Sequence, residues 1–424
     1  MKSIDVLVIG GGPSGSTVAT RLAQLGHSVT LFEKERFPRF HIGESLLPCS
    51  MPLFQELGVM PALERAGFLP KYAAEFVSGD GTLKQRYPFA DSMLPGSPSA
   101  FEVDRAEFDQ VLLKHAAASG VTVHEETQVV RFDTDLASGI ELVVRTRDGT
   151  ERTEHAKFLV DASGQNALLA SRLGLREMEP NLRNYAVFSH YEGATRNTGV
   201  MEGDISIVLS DDGWWWVIPL RGDRTSIGLV GKAHTLRGQK PDQAFFEQKL
   251  ASTPYLAERF ANARRVAPVR AVSDWSYVSR ELAGDRWLAV GDAGAFIDPV
   301  FSTGVYLGMT GAFEAARRIH AALAEQRFDR AHFAEYEARM RRLVGSYTDF
   351  VKGFYTPEFA ELMLHPSNTL GMRGAVTSLL AGHGQDRFAI NWRVGLFHTL
   401  VRLNRHLPLV PRLPGRRVSW ARQG

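Results

Sequence analysis

The feature that most restricts the fold of this chain is a glycine-rich turn close to its start. The turn follows an apolar strand at residues 5–9 and opens a helical pattern, and Glu33 ends a second predicted strand about twenty residues later. It consists of Gly10, Gly11, Gly12, Pro13, Ser14 and Gly15. This βαβ arrangement is typical of dinucleotide binding, because the helix N-terminus stabilises the pyrophosphate and Glu33 can accept the ribose hydroxyls.

Composition restricts the class of protein. Hydrophobic residues make up 44% of the 424 positions and charged residues 23%, which predicts a globular α/β protein. A formal net charge of +2 gives no reason to expect nucleic acid as a partner. The single cysteine, Cys49, excludes an internal disulfide and a cysteine-based zinc site, so we expect no metal and a cytoplasmic location. No apolar run approaches the ~18 residues that cross a bilayer, and no signal peptide precedes the first strand.

The order of the predicted elements implies three regions. A β-rich insertion interrupts the dinucleotide-binding segments, and helical patterns dominate from residue 328 onward. We predict a discontinuous dinucleotide-binding domain at 1–70, 100–175 and 268–325, a β-rich substrate domain at 71–99 and 176–267, and a C-terminal helical region with a basic tail at 326–424.

Further segments indicate which dinucleotide is bound. They are Arg39, Gly43-Glu44-Ser45, Asp104-Arg105 at the start of a helix, and Gly291-Asp292 at the end of a late strand. With them, residues 1–345 resemble the glutathione-reductase-type (GR2) FAD proteins of the single-component aromatic hydroxylase branch. The resemblance implies an α/β fold with a GR2-type Rossmann-like FAD-binding domain and an inserted antiparallel-β domain. The cofactor-binding residues that we predict are Gly10, Gly12, Pro13, Ser14, Gly15, Glu33, Arg39, Glu44, Ser45, Arg105, Val129, Gly291, Asp292, Pro299 and Gly304.

Two motifs narrow the resemblance to flavin-dependent halogenases. Residues 214–219 fit the W-x-W-x-I-P pattern of that family, and residues 296–304 fit its F-x-x-P-x-x-S-x-G pattern. Residues 37–48 also look more like halogenases than like aromatic hydroxylases. The length of the chain is most similar to that of members acting on pyrroles or phenols, which are often tethered to carrier proteins.

The resemblance implies roles for both motifs. Trp214 and Trp216 share one face of their strand, and with Ile218 and Pro219 they would form a wall that keeps the organic substrate away from the flavin. Three residues, Ser302, Thr303 and Gly304, immediately precede a predicted helix at 304–324 and would hold chloride or bromide beside the flavin ring.

The resemblance also implies the catalytic residue, Lys71. In the family, FADH₂ from a separate reductase reacts with O₂ to give a C4a-hydroperoxide. Halide attacks it, and the resulting hypohalous acid is directed to the substrate by a lysine. That lysine either donates a hydrogen bond to the acid or is halogenated to a haloamine. The glutamate of the tryptophan-type members has no match in this sequence, so the general base stays unassigned.

Other readings of the same residues remain open. The FAD site also suits an aromatic monooxygenase, an isoprenoid-type flavin reductase, or a catalytically silent scaffold subunit. After Asp386 the chain has no acidic residue, and residues 389–407 have the pattern of a basic amphipathic helix. That helix is either a solvated surface or a docking face for an acidic acyl or peptidyl carrier protein or, less favoured, for an anionic membrane surface. A free aromatic small molecule is the alternative substrate.

Overall fold

A computed structural model describes residues 4–134, 139–236, 238–384 and 388–413. Its helices are α1 Pro13–Gln24, α2 Met51–Leu57, α3 Met60–Ala66, α4 Arg105–Ala118, α5 Leu168–Arg172, α6 Gln243–Ala251, α7 Pro254–Arg259, α8 Gly304–Glu325, α9 Ala334–Phe354, α10 Pro357–Leu364, α11 Met372–Leu380 and α12 Phe388–His406. Its strands are β1 Ile4–Ile9, β2 Val29–Phe32, β3 Leu69–Lys71, β4 Ala73–Ser78, β5 Lys84–Pro88, β6 Ala100–Glu102, β7 Thr122–His124, β8 Thr127–Asp133, β9 Ile140–Thr146, β10 Glu151–Asp161, β11 Arg176–Met178, β12 Asn184–Glu192, β13 Ile205–Ser210, β14 Gly213–Pro219, β15 Arg224–Lys232, β16 Arg264–Arg265, β17 Arg270–Ser273, β18 Tyr277–Ser279, β19 Ala283–Gly284, β20 Trp287–Ala289 and β21 Ala295–Phe296.

The first large sheet has the order β19-β20-β10-β1-β2-β7, and β8 and β9 extend it from β10. Strand β1 is parallel to both of its neighbours, β2 and β10. Its apolar residues Val6, Leu7 and Val8 are fully buried, as expected for a parallel strand covered on both faces. Helix α1 follows β1 directly and packs against α4 and α8. The N-terminus of α1 therefore lies at the carboxyl end of the central strand, where α/β proteins bind nucleotides.

The second large sheet has the order β16-β12-β15-β14-β13-β4-β5. Its strand pairs are antiparallel except for the pair of β13 and β4, which is parallel. Trp214 and Trp216 of β14 belong to the core shared with the first large sheet, whereas Trp215 packs into a separate core with residues of α6. The predicted alternation of the three tryptophans is therefore confirmed.

The C-terminal helices pack onto the tryptophan strand. Phe354 of α9 lies edge-on to Trp214, with ring centroids 5.9 Å apart, and also contacts Phe359 of α10. Helix α12 is fixed by the fully buried Glu361, which accepts hydrogen bonds from Asn404 at 2.8 Å and from Arg412 at 2.8 Å. The predicted tail residues Arg416, Arg417 and Arg422 lie outside the described residues. None of the helices described here is long and apolar enough to cross a membrane.

Candidate active site

The glycine-rich turn folds as its sequence requires. Gly10 has a φ of +97°, and a Cβ there would overlap the carbonyl oxygen of Ala162 at the end of the neighbouring strand β10. A Cβ at Gly15 would overlap the carbonyl oxygen of Gly10. Only glycine allows this approach of helix to strand, which leaves the first N–H groups of α1 at the mouth of the turn.

The two halves of the predicted flavin site meet at Ser14. A Cβ added to Gly291 or to Gly308 would overlap the Ser14 hydroxyl oxygen. The start of α1, the Gly291-Asp292 turn and the first turns of α8 are therefore in direct contact, although they are far apart in sequence. The glycine cradle and this junction fit a dinucleotide that extends from the N-terminus of α1 to that of α8.

Glu33 lies where a ribose acceptor is expected. Its carboxylate is almost fully buried and accepts hydrogen bonds from the backbone N–H of Gly11 at 2.7 Å and of Glu35 at 2.9 Å. Each oxygen has one such donor and keeps a second lone pair for a ligand hydroxyl.

The two predicted arginines share one carboxylate, Asp109. Arg105 donates to both oxygens of Asp109, at 2.8 and 3.1 Å, and to the carbonyl oxygen of Ile42 at 2.7 Å. Arg39 lies 3.2 Å from Asp109. Its guanidinium also lies next to the glycine turn, because a Cβ built on Gly12 would be 3.5 Å from it. Arg39 is thus the arginine beside the phosphate cradle, and Arg105 braces the loop that follows β2.

One cavity is lined both by residues predicted to bind the cofactor and by residues predicted to bind halide. Gly291, Asp292, Thr303 and Gly304 line it together with Phe296. Burial raises the pKa of Asp292 to about 7, and the Arg105 guanidinium opposes that rise. Hydrogen bonds from ligand hydroxyls would lower this pKa, because they stabilise the charged form. The cavity therefore suits the hydroxyl-bearing part of FAD at one end.

The segment predicted to bind halide, residues 296–304, contains a single 3₁₀ turn, Pro299–Phe301, and leads into α8; we call it the predicted halide loop. Asp298 caps the turn by accepting a hydrogen bond from the backbone N–H of Val300 at 3.1 Å. Ser302 adopts a left-handed conformation with a φ of +56°, which turns the chain so that Thr303 lies directly before the helix. Thr303 and Gly304 at the N-terminus of α8 line the cavity, and the first N–H groups of a helix have no intrahelical partner and favour an anion.

A buried polar cluster connects the predicted halide loop to the tryptophan motif. Trp214 donates its indole N–H to the hydroxyl of Tyr355 at 3.1 Å, and this hydroxyl donates to Asp298 Oδ2 at 2.8 Å. Asn184 also donates to Asp298 Oδ2, at 2.9 Å. We call Trp214, Tyr355, Asp298 and Asn184 the Asp298 cluster. It fixes the loop and the indole relative to each other.

The remaining motif residues complete the wall. The rings of Trp214 and Trp216 are 6.2 Å apart and tilted by 54°. Trp216 donates to the hydroxyl of Ser226 at 3.1 Å and packs against Phe188. Ile218 is buried in the same core, and Pro219 ends strand β14.

Lys71 is buried, with 1% of its surface exposed, at the end of the short strand β3. Its Nζ donates to the hydroxyl of Ser45 at 2.8 Å and to the carbonyl oxygen of Leu46 at 3.0 Å, and it faces the ring of Phe89. The Ser45 hydroxyl donates in turn to Glu102 Oε1 at 3.1 Å. Burial lowers the pKa of Lys71 and raises that of Glu102 to about 8.

Some predicted cofactor residues have protein partners in this structure. Ser45 holds Lys71, as described, and Glu44 pairs with Nε2 of His190 on β12 at 2.7 Å. Val129 is buried on β8 in the core that contains Ile9 and Phe32. Their contacts with FAD stay predictions.

Sequence reasoning missed Glu102, His190 and most of the Asp298 cluster. Partners such as Ser45 and Glu102 are 57 positions apart, and Trp214 and Tyr355 are 141 apart, so no local pattern joins them. Asp109 is different, because its i,i+4 spacing from Arg105 on a predicted helix was a usable signal. Among the described residues, no group of three or more His, Cys, Asp or Glu is arranged to hold a metal ion.

Comparison with known proteins supplies the family. The model of the tryptophan halogenase family matches residues 5–94 and 80–359. The chain belongs to this family. It is therefore a flavin-dependent halogenase, an enzyme that uses FAD and halide, and the predicted α/β fold of FAD-dependent halogenases is confirmed.

Individual relatives agree with this assignment. The halogenase is 32% identical over 375 residues to a 1H-pyrrole-2-carbonyl-(peptidyl-carrier protein) chlorinase of Pseudomonas fluorescens, covering 83% of each chain. A solved flavin-dependent brominase superposes with a TM-score of 0.82 at 29% identity, covering 95% of this chain and all of the other. A flavoprotein/dehydrogenase of Cytophaga hutchinsonii superposes with a TM-score of 0.88 at 27% identity, covering 95% and 99%.

Proposed function

We propose that this halogenase places chlorine or bromine on an electron-rich phenol or pyrrole, and that Lys71 directs the halogen to the ring. One observation carries the proposal: Lys71 is buried and donates hydrogen bonds to Ser45 and Leu46, in the loop whose Ile42 carbonyl oxygen accepts a hydrogen bond from Arg105. A buried lysine with two fixed hydrogen bonds is not a solvated surface residue, and an amine in that position is suited to a chemical task.

Reduced FAD, when bound, supplies hypohalous acid from O₂ and halide. The residues that would hold FAD are the glycine cradle, Glu33, Arg39 and Asp292. The first turn of α8 at Thr303 and Gly304 would keep the halide close, because its N–H groups favour an anion.

The chain's own residues then decide where the halogen goes. The Lys71 amine binds the electrophilic halogen or donates to the acid's oxygen, and its hydrogen bonds fix its direction. The wall of Trp214 and Trp216 separates the organic substrate from the flavin, and the Asp298 cluster holds that wall in place. Phenols and pyrroles need no further activating group, because their own heteroatom pushes electrons into the ring.

The substrate arrives free or bound to an acyl or peptidyl carrier protein, and we favour the carrier. The chlorinase relative is named for a carrier-bound pyrrole. On α12, Arg402, Leu403 and Arg405 are exposed, and Arg405 lies 3.9 Å from Glu358. Exposed arginines complement an acidic carrier protein. A separate flavin reductase would supply the reduced cofactor, and a cytoplasmic location suits the single cysteine.

Product analysis tests the reaction class. Wild-type protein is supplied with photoreduced FAD, O₂ and bromide, and with a panel of phenols, pyrroles and a carrier-bound pyrrole, and products are identified by mass spectrometry. We expect brominated product that disappears when bromide is omitted. A hydroxylated product independent of bromide would indicate a monooxygenase, and a reduced product formed without O₂ would indicate a reductase.

A further inference from the structure

We propose that Glu102, acting through the Ser45 hydroxyl, stores the proton that Lys71 releases and recovers during halogen transfer. The inference rests on the proposed function of Lys71. It places a proton-accepting group beside Lys71, and Glu102 is a positioning residue, since it acts on the reacting atoms only through Lys71.

The hydrogen bonds run in one direction, from the amine to the carboxylate. Lys71 Nζ donates to Ser45 Oγ at 2.8 Å, and Ser45 Oγ donates to Glu102 Oε1 at 3.1 Å. A proton that leaves Lys71 is accepted by the serine oxygen while the serine proton passes to Glu102. Lys71 and Glu102 lie on the paired strands β3 and β6, and the backbone register fixes the distance between them.

Burial of both groups favours exchange of a proton between Lys71 and Glu102 over a permanent ion pair. Lys71 is 1% exposed and Glu102 is fully buried, and Glu102 Oε2 makes no hydrogen bond to any described residue. A buried amine resists protonation and a buried carboxylate resists ionisation, so the neutral amine with a neutral acid becomes comparable in energy to the ion pair.

The neighbouring ionisable groups have other partners. Asp204, which also faces Lys71, accepts hydrogen bonds from Arg86 at 2.7 Å and from the backbone N–H of Tyr72 at 3.1 Å. Glu44, which faces Glu102, is paired with His190. Glu102 is thus the carboxylate whose hydrogen bond leads to Lys71.

The proton and electron balance closes over one turnover. With its proton on Glu102, the Lys71 amine forms an N–X bond to hypohalous acid while the O–X bond breaks, and the hydroxide leaves as water with a proton from the same nitrogen. Glu102 then returns its proton to the nitrogen through Ser45. The N–X bond breaks as the C–X bond forms, and the ring proton passes to the amine. The sum is ArH + HOX → ArX + H₂O, and the pair returns to its starting state.

The Lys71 titration tests this directly and without turnover. Protein carrying ¹³C-labelled lysine is titrated by NMR, and the Lys71 signal is assigned by its loss in Lys71→Ala. In Glu102→Gln we expect the midpoint of the Lys71 titration to fall by about one pH unit or more, because the carboxylate that shares the proton is gone. An unchanged Lys71 titration would overturn the proposal.

Two further variants keep the test decisive. Glu75 accepts a hydrogen bond from the hydroxyl of Ser206 at 2.9 Å, as Glu102 does from Ser45, but Lys71 donates to Ser45 and not to Ser206. Glu75→Gln is therefore the matched control, and its Lys71 titration should equal that of wild type. If Glu102→Gln does not fold, Ser45→Ala replaces it. That variant retains both ionisable groups and removes their connection, and the expected shift is smaller but in the same direction.

Activity separates this inference from the proposed function. We expect Glu102→Gln to lower kcat about 100-fold at near-constant KM and to move the alkaline limb of the pH profile to lower pH. If Lys71→Ala is inactive and Glu102→Gln leaves both the titration and the pH profile unchanged, the proton store is wrong and the lysine role stands. If Lys71→Ala still halogenates substrate, the proposed function itself is wrong.

Discussion

Two buried carboxylates, Asp298 in the cluster that contacts Trp214 and Glu102 in the chain of hydrogen bonds from Lys71, differ in how many hydrogen bonds they accept. Asp298 accepts three hydrogen bonds, from Val300, Asn184 and Tyr355. Glu102 accepts one, from Ser45, and its second oxygen has no hydrogen-bond partner among the described residues. A fully bonded carboxylate fixes the geometry around it, whereas a carboxylate with one donor can take up a proton without breaking a network. We infer that Asp298 is structural and that Glu102 exchanges protons.

The largest difference should appear in stability. In Asp298→Asn the amide nitrogen replaces one acceptor oxygen and faces a donor, so we expect the free energy of unfolding to fall by about 2 kcal/mol. In Glu102→Gln the new amide nitrogen can take the place of Oε2, which accepts from no donor, and the Ser45 hydroxyl can rotate. We therefore expect the free energy of unfolding to fall by less than about 1 kcal/mol. Urea denaturation of the FAD-loaded proteins measures both. Equal losses would contradict the distinction between the two carboxylates.

The contribution to the pH dependence of stability should differ between Glu102 and Asp298. Burial raises the pKa of Glu102 from 4.5 to about 8 and that of Asp298 from 3.8 to about 6. A raised carboxyl pKa means that the folded state binds more protons, so Asp298 lowers stability as pH rises from about 4 to about 6, by at most about 1.4 kcal/mol per pH unit. Glu102 differs, because the proton it holds comes from Lys71 and the pair binds one proton near neutral pH in the folded state as in the unfolded state.

Unfolding measured from pH 4 to 8.5 gives the comparison. Asp298→Asn should flatten the decline up to about pH 6, whereas Glu102→Gln should leave the decline below pH 6 in place. A Glu102→Gln profile that loses the decline below about pH 6 would contradict this distinction between the two carboxylates.

A smaller effect is expected at the indole itself. Trp214→Phe keeps a ring in the wall but removes the N–H donated to Tyr355, so we expect a loss of about 1 kcal/mol and a product that is still brominated. Thermal unfolding and product analysis measure the two effects. A hydroxylated product would show that the wall depends on this hydrogen bond and not on ring bulk alone.

The smallest effect on the site is expected from α12. Charge reversal at Arg402 and Arg405 should raise KM for a carrier-bound pyrrole about tenfold while FAD affinity and the turnover of free phenols stay unchanged. Arg393→Glu is the control on the same helix, because its guanidinium is bonded to the carbonyl oxygens of Leu370 and Ala389. An equal effect of the control would indicate a general loss of charge attraction.

The sequence alone was sufficient to predict the parts of the site that depend on local backbone geometry. Gly10 and Gly15 predicted the cradle because a βα turn excludes any side chain there, and the alternation of the tryptophans predicted which two share a face. It was insufficient where contacts join distant strands and helices. A glutamate in a short strand such as β6 resembles a solvated residue until tertiary packing buries it, and Tyr355 lies in a helical region whose docking no periodicity specifies.

The central claim is that Lys71 directs the halogen, and one comparison tests it most directly. Wild type and Lys71→Ala receive photoreduced FAD, O₂ and bromide, and both the bromination of a phenol or pyrrole substrate and that of monochlorodimedone, which reports freely diffusing hypobromous acid, are measured. We expect Lys71→Ala to lose substrate bromination at least 100-fold while FAD binding and O₂ consumption persist. Full substrate bromination by Lys71→Ala would contradict the account.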